Sequence, residues 1–225
     1  IGNYLGAIRP ALALDADLKY YFIADYHALT TQTDRHALSE SIYHVAATWL
    51  SLGLDPKTTC FYRQSDIPEI FELAWILSCC TAKGLCNRAH AYKSLVDQNI
   101  AADGDPDKGI NLGLFSYPVL MAADILAFNC TDVPVGADQK QHVEIARDIA
   151  TVFNQRFSDT LVLPTPSISD TVHTIPGLDG RKMSKNYNNT VPLFLDDKPL
   201  RKKIMQIKTD SAGVDDPKDP GTCFV

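Results

Sequence analysis

Apolar and polar positions follow two periods along this chain. Where apolar residues recur every three or four positions, the pattern predicts amphipathic helices. That spacing places helices over about residues 3–14, 35–52, 66–78, 86–99, 116–128, 136–153 and 199–208. In the first, Leu5, Ile8 and Leu12 share a face and Asn3 is a good N-cap. Gly53 closes the second, while Pro68 and Pro118 suit the first turn of the third and fifth. Short apolar, β-prone runs at 20–24, 58–63 and 131–135 predict strands, and 101–106 reads as a turn-rich connector. The last helix puts Leu200, Ile204 and Ile207 inward and Arg201, Lys202, Lys203 and Lys208 outward.

Composition narrows the class. The chain has 225 residues, 45% of them apolar, which fits a globular protein. No apolar run reaches the roughly 18–20 residues of a membrane span, and no signal peptide is visible. A net charge of −6 argues against a general nucleic-acid binder and asks for a local basic patch instead. The six cysteines form no C-x-x-C pair and mostly sit in apolar segments, so reduced, packed thiols of a cytoplasmic protein are expected. The chain does not begin with Met, which predicts that its true N-terminus lies upstream.

Five stretches carry candidate chemistry. Residues 179–186, Asp-Gly-Arg-Lys-Met-Ser-Lys-Asn, place three cations and a hydroxyl behind two glycines. Such a stretch is a solvated turn or a mobile loop that closes on a polyphosphate. Tyr117, Met121, Asp124 and Phe128 are spaced four, three and four, so they share one helix face. A carboxylate among Met and aromatic side chains needs a partner. Asp124 is therefore an internally paired acid, or an acceptor for a ligand donor in an apolar pocket. His27 follows the first strand, where ligands of open α/β sheets collect, though it could equally be a structural histidine. Val135, Gly136, Asp138 and Gln139 join a strand to a helix; Asp138 is either its N-cap or a group for a ribose or an amine. Gly2 and Asn3, at a helix start, offer backbone N–H groups to an anion or serve as plain capping.

Lys182-Met183-Ser184-Lys185 resembles the KMSKS signature of the class I aminoacyl-tRNA synthetases, with Asn186 at its last position. Residues 2–7, Gly-Asn-Tyr-Leu-Gly-Ala, resemble the HIGH-region string of the tryptophanyl branch. Residues 135–150 are similar to a further string of that branch, with Ala137 in place of its glutamate, and Leu95 stands where relatives carry a second lysine. The tyrosyl branch shares the architecture but not this string. The resemblance implies an α/β fold: a Rossmann-like parallel sheet with helices on both faces. It implies a catalytic domain at 1–192, a helical insertion at about 66–115, and the start of a C-terminal helical anticodon-binding domain at 193–225. The chain stops too early to hold that whole domain.

The activity implied is an enzyme's: tryptophan activation with ATP and Mg²⁺, then transfer to tRNA(Trp), in a cytoplasmic homodimer. By resemblance Gly2, Asn3, Gly136, Asp138, Lys182, Met183, Ser184 and Lys185 meet ATP. Of these, Asn3, Lys182, Ser184 and Lys185 are catalytic. His27, Tyr117, Met121, Asp124, Val135 and Gln139 hold tryptophan, and no protein metal site is expected, since Mg²⁺ rides on phosphates. A tyrosyl-type synthetase and a non-catalytic tryptophan- or RNA-binding paralogue are the alternatives. An Asp124→Asn change is expected to be milder than Asp124→Ala, because its carbonyl still accepts.

Overall fold

A computed structural model describes residues 4–136, 139–168, 175–184, 187–207 and 216–217. The chain divides into two compact units, one spanning Asp15–Ile168 and the other combining Ile1–Leu14 with Ser169–Val225. In the terminal unit, a wide π-helical turn over Tyr4–Ile8 leads into α1 (Arg9–Ala13). Pro10 lies in the first turn of α1, where no intrahelical N–H is needed. The expected N-cap, Asn3, lies outside the described residues.

The larger unit is built on parallel pairing. β1 (Tyr20–Ile23) leads into α2 (Asp25–Ala28) and α3 (Arg35–Ser51), and the chain returns as β2 (Cys60–Arg63). The strands run parallel, from Tyr20 opposite Cys60 to Ile23 opposite Arg63. Two side chains decide where α3 begins and ends. The Asp34 carboxylate accepts from the N–H groups of His36 and Ala37, and Gly53 takes φ +102° just past the end.

After a 3₁₀ turn over Gln64–Asp66 come α4 (Glu69–Cys80), α5 (Lys83–Cys86), α6 (His90–Ala101) and α7 (Leu112–Leu126). The helix expected over 86–99 is thus displaced, because a separate turn at Lys83–Cys86 precedes it. Helix α7 starts one turn before the expected residue 116. Asn111 caps it by accepting from the Leu114 N–H at 2.8 Å, which leaves Pro118 inside the helix. Asn129, at φ +49°, ends this segment and accepts from the Val162 N–H.

A second strand–helix–strand unit follows. β3 (Asp132–Pro134), α8 (Lys140–Arg156) and β4 (Thr165–Ser167) bring Asp132 opposite Thr165 in a parallel pair. Among the described residues no ladder joins the two strand pairs. The core lies where α4, α7 and α8 meet. Ile70 and Leu77 pack with Ala122, Ala123 and Leu126, and with Ala146, Ile149 and Ala150. The fully buried alanines let α7 and α8 approach closely. Tyr62 and Val133 tie both strand pairs to this core, and Phe128 stacks on Tyr20 at 4.8 Å.

The terminal unit closes with α9 (Asp197–Ile204). Its faces differ from expectation. Ile204 is exposed, whereas Lys203 is half-buried and donates from Nζ to the Thr190 carbonyl at 3.1 Å. A lysine stem covers apolar surface while its ammonium finds an oxygen, and that exchange turns the helix. None of the described helices is long and apolar enough to cross a membrane. The described cysteines are free thiols. Cys80 and Cys86 are buried, but Cys60 and Cys79 are exposed rather than packed.

Candidate functional site

In the larger unit the polar groups gather at the carboxyl ends of β1 and β2. Asp124 projects from α7 and is only 3% exposed, although it is a carboxylate in a helix dominated by apolar residues. His27, on the short α2 after β1, lies with Nε2 2.8 Å from Asp124 Oδ2. An ionised carboxylate only accepts, so the proton of this bond sits on His27 Nε2. Gln64, directly after β2 and fully buried, donates from Nε2 to Asp124 Oδ1 at 2.8 Å and Oδ2 at 3.0 Å. Its carbonyl accepts from the Tyr26 N–H at 3.2 Å, which fixes which way the amide faces. Asp124 is therefore internally paired, as one of the two sequence readings had it. Three of the roughly four acceptor positions of a carboxylate are used, so one is left.

Burial raises the Asp124 carboxyl above its ordinary value, and the hydrogen bonds from His27 and Gln64 work against that rise. Burial also pushes the Tyr62 phenol far up, reinforced by the negative charge of Asp124. Tyr117, seven residues before Asp124 on the same face, shares a 2.5 Å hydrogen bond with His142 Nε2 from α8. Its ring meets that of His27 edge-on at 6.1 Å. Met121, between them, is half-buried against the core.

Beyond β3, the Val135 N–H extends the strand pairing to the Ser167 carbonyl at 3.1 Å. The Gly136 carbonyl then accepts from the Gln139 N–H at 2.9 Å, a turn that delivers the chain into α8. Asp138, like Gly2, Asn3 and Lys185, lies outside the described residues.

In the terminal unit the cationic stretch is a braced hairpin. Pro176 and Lys182 form an antiparallel bridge, and the Met183 N–H donates to the Ile175 carbonyl at 2.8 Å. The turn at its tip has Gly180 at φ +79°. Lys182 is exposed, while Met183 and Ser184 are half-buried. Arg181 is engaged locally: its guanidinium lies 2.6 Å from Asp179 Oδ2 and 4.6 Å from the Tyr187 ring centre. Asp179 is held down to about 2, first by the hydrogen bond from Asn189 and then by Arg181.

Sequence reasoning did not single out Gln64, His142 or Asn189. Gln64 had a usable signal, since it follows a strand just as His27 does. His142 had one too, since it falls within the string at 135–150, whereas Asn189 had none, because nothing in an asparagine-rich turn marks one residue as buried.

Parallel strand–helix–strand units with polar groups at the carboxyl ends of the strands, where ligands of open α/β sheets collect, define an α/β protein. A family model described as tRNA synthetases class I (W and Y) matches residues 1–221. The tryptophan–tRNA ligase of Pseudomonas aeruginosa is 56% identical over 227 residues, covering 98% of this chain and 50% of that protein. The crystal structure of tryptophanyl-tRNA synthetase from Campylobacter jejuni, complexed with ADP and tryptophan, superposes with a TM-score of 0.87 at 47% identity. That match covers 99% of this chain and 68% of the other. A tyrosyl-tRNA synthetase from Archaeoglobus fulgidus, with TM-score 0.58 and 20% identity over 87% of the chain, shares the fold. This chain belongs to the class I tRNA synthetases of the tryptophan and tyrosine group. Its α/β fold, with parallel strands and helical insertions, is of the Rossmann-like kind. The chain spans about half the length of the Pseudomonas relatives it matches.

Proposed function

We propose that this chain carries the amino-acid-activating part of a tryptophan–tRNA ligase. The observation that supports tryptophan as substrate is Asp124: a buried carboxylate, oriented by His27 and Gln64, with one acceptor position left. The indole N–H is a donor with no acceptor capacity, so selectivity for it needs an acceptor set in an apolar wall. Tyr117, Met121, Val135, Gln139 and His27 complete the amino-acid pocket in this reading.

The reaction is adenylate formation. A carboxylate oxygen of tryptophan attacks the α-phosphorus of ATP, a new O–P bond forms, and the bond to the bridging oxygen breaks to release pyrophosphate. The protein positions the reactants and stabilises charge, with no nucleophile of its own. Gly2, Asn3, Gly136 and Asp138 bind the nucleotide, and Met183 lies against it. Lys182, Ser184 and Lys185 meet the charge that develops on pyrophosphate. In the second step a tRNA hydroxyl takes the aminoacyl group and AMP leaves. Among the described residues no group of acidic, histidine or cysteine side chains could hold a metal. Mg²⁺ would be carried in on the phosphates and would screen their charge there.

The domain boundary near residue 192 belongs to the same reading, as does a cytoplasmic setting. Arg201 and Lys202, exposed on α9, form a basic face suited to tRNA phosphates. Phe71 and Trp75, one turn apart on α4, are 40% and 73% exposed and mark a face for a second copy of the chain. ATP–pyrophosphate exchange, run with each of the twenty amino acids, tests the whole reading. Exchange with tryptophan and not with tyrosine or phenylalanine is expected. Exchange with tyrosine would make this a tyrosyl-type enzyme. Tryptophan binding with no exchange would make it a non-catalytic paralogue.

A further inference from the structure

Asn189 is 2% exposed, between exposed Asn188 and half-buried Thr190, and both polar atoms of its side chain are engaged. Oδ1 accepts from the Ser184 N–H at 2.7 Å. Nδ2 donates to Asp179 Oδ1 at 2.7 Å and to the Lys182 carbonyl at 3.1 Å. Its own backbone carbonyl accepts from the Leu178 N–H at 3.0 Å. One residue thus grips both arms of the hairpin. By holding the Lys182 carbonyl and the Ser184 N–H, it fixes the peptide planes on either side of Met183. Those planes set the directions in which the Lys182 and Ser184 side chains leave the backbone.

Gly177 makes room for this arrangement. A Cβ there would stand 2.3 Å from Asn189 Cγ and Nδ2, and 2.8 Å from its backbone oxygen, closer than real Cβ atoms come to other heavy atoms. The pairing of a side-chain-free position with a buried amide is a built feature of the hairpin. It differs from the usual role of asparagine in such turns, which is to bond its own nearby backbone at the surface.

We propose that Asn189 is the positioning residue of the cationic hairpin, setting the angle at which Lys182 and Ser184 meet pyrophosphate without touching substrate itself. The proposal rests on the activity argued above. Its distinguishing mark is a split between rate and binding. Tryptophan is held by the other unit's residues, so its KM is untouched, while turnover depends on the geometry of the hairpin.

The test compares wild type with Asn189→Ala and with Gly177→Ala, which displaces the same amide from the other side. Two readouts are used: ATP–pyrophosphate exchange kinetics, and the rate of trypsin cleavage after Arg181 and Lys182. Both variants should lose about 10–100-fold in kcat, the scale of an ångström-sized misplacement, with KM for tryptophan within about twofold of wild type. Trypsin should cut the hairpin at least about tenfold faster in both, because cleavage follows local opening. Asn189→Asp should do no better than Ala, since a second carboxylate would face Asp179. Unchanged cleavage would overturn the brace, whatever the activity. Faster cleavage with unchanged kcat would overturn its catalytic role, as would a parallel loss of kcat, tryptophan affinity and thermal stability. If the wild type showed no exchange at all, the activity would be misassigned, and cleavage would still decide whether Asn189 braces the hairpin.

Discussion

Gln64 Nε2 lies 2.8 Å from one oxygen of Asp124 and 3.0 Å from the other, so a neutral amide spans both lone-pair faces of a buried acid. The two residues come from a strand end and a helix sixty positions apart in sequence. With His27 they hold the carboxylate in one orientation.

Asp124→Ala should lower kcat/KM for tryptophan by roughly 10–200-fold, the worth of a hydrogen bond to a charged group. It should narrow the gap between tryptophan and phenylalanine while leaving the KM for ATP near wild type. His27 and Gln64 change the expectation for Asp124→Asn. Both present donors, and an asparagine amide would turn its NH₂ toward one of them. Asn should therefore cost nearly as much as Ala. Exchange kinetics on both variants with both amino acids checks this, and wild-type discrimination in Asp124→Ala would remove the residue from the pocket.

Gln64→Met fills the volume but leaves the Tyr26 N–H and one side of Asp124 without their partner. The expected loss of stability is about 1–3 kcal/mol, that of stranding a buried polar group. Denaturant unfolding measures it. The same variant should weaken tryptophan binding more than ATP binding, since nothing else about the carboxylate is changed.

Lys182→Ala should slow adenylate formation by roughly 10²–10³-fold, as losing a preorganised charge donor does. Single-turnover kinetics is the measurement. Tryptophan affinity should stay close to wild type, and equal rates would take the hairpin out of the chemistry.

Asp179 titrates at about 2 rather than 3.8, so its folded form holds its proton less tightly than the unfolded chain does. Its contribution to stability is fully present above pH 3.8 and is lost as the pH falls through about 2. Carboxyl chemical shifts followed by NMR should show this low midpoint. In Asn189→Ala the midpoint should move up toward 3.8, because the largest cause of the depression is gone.

Trp75→Glu should convert a dimer to a monomer at micromolar concentration, as read by light scattering. The replaced residue is 73% exposed in the single chain, so its own fold should survive. A wild-type protein that is already monomeric would contradict the assignment of this face.

The helix over Arg35–Ser51 was legible because both of its ends are marked by residues that act locally, Asp34 and Gly53. The start of α7 was not. Pro118 looks like a first-turn residue, but a capping asparagine seven positions earlier set the boundary. The strand at Thr165–Ser167 carries a proline and no apolar run, so its pairing with Asp132–Pro134 left no trace in the pattern. In the candidate site, Asp124 and Tyr117 stood out by their spacing on one helix face. Gln64 and Asn189 act across the fold, and burial of an amide by distant segments has no sequence period.

Arg181 carries one positive charge in any tally of this chain, yet its guanidinium is committed to Asp179 on one edge and to the Tyr187 ring on its flat face. A lysine there would keep the tally but lose the forked, stacked geometry of both contacts, because an ammonium has neither a planar fork nor a face to stack. Sequence comparisons that score the two cations as equivalent would pass over the change. The loss would fall on the shape of the hairpin, with its nominal charge intact.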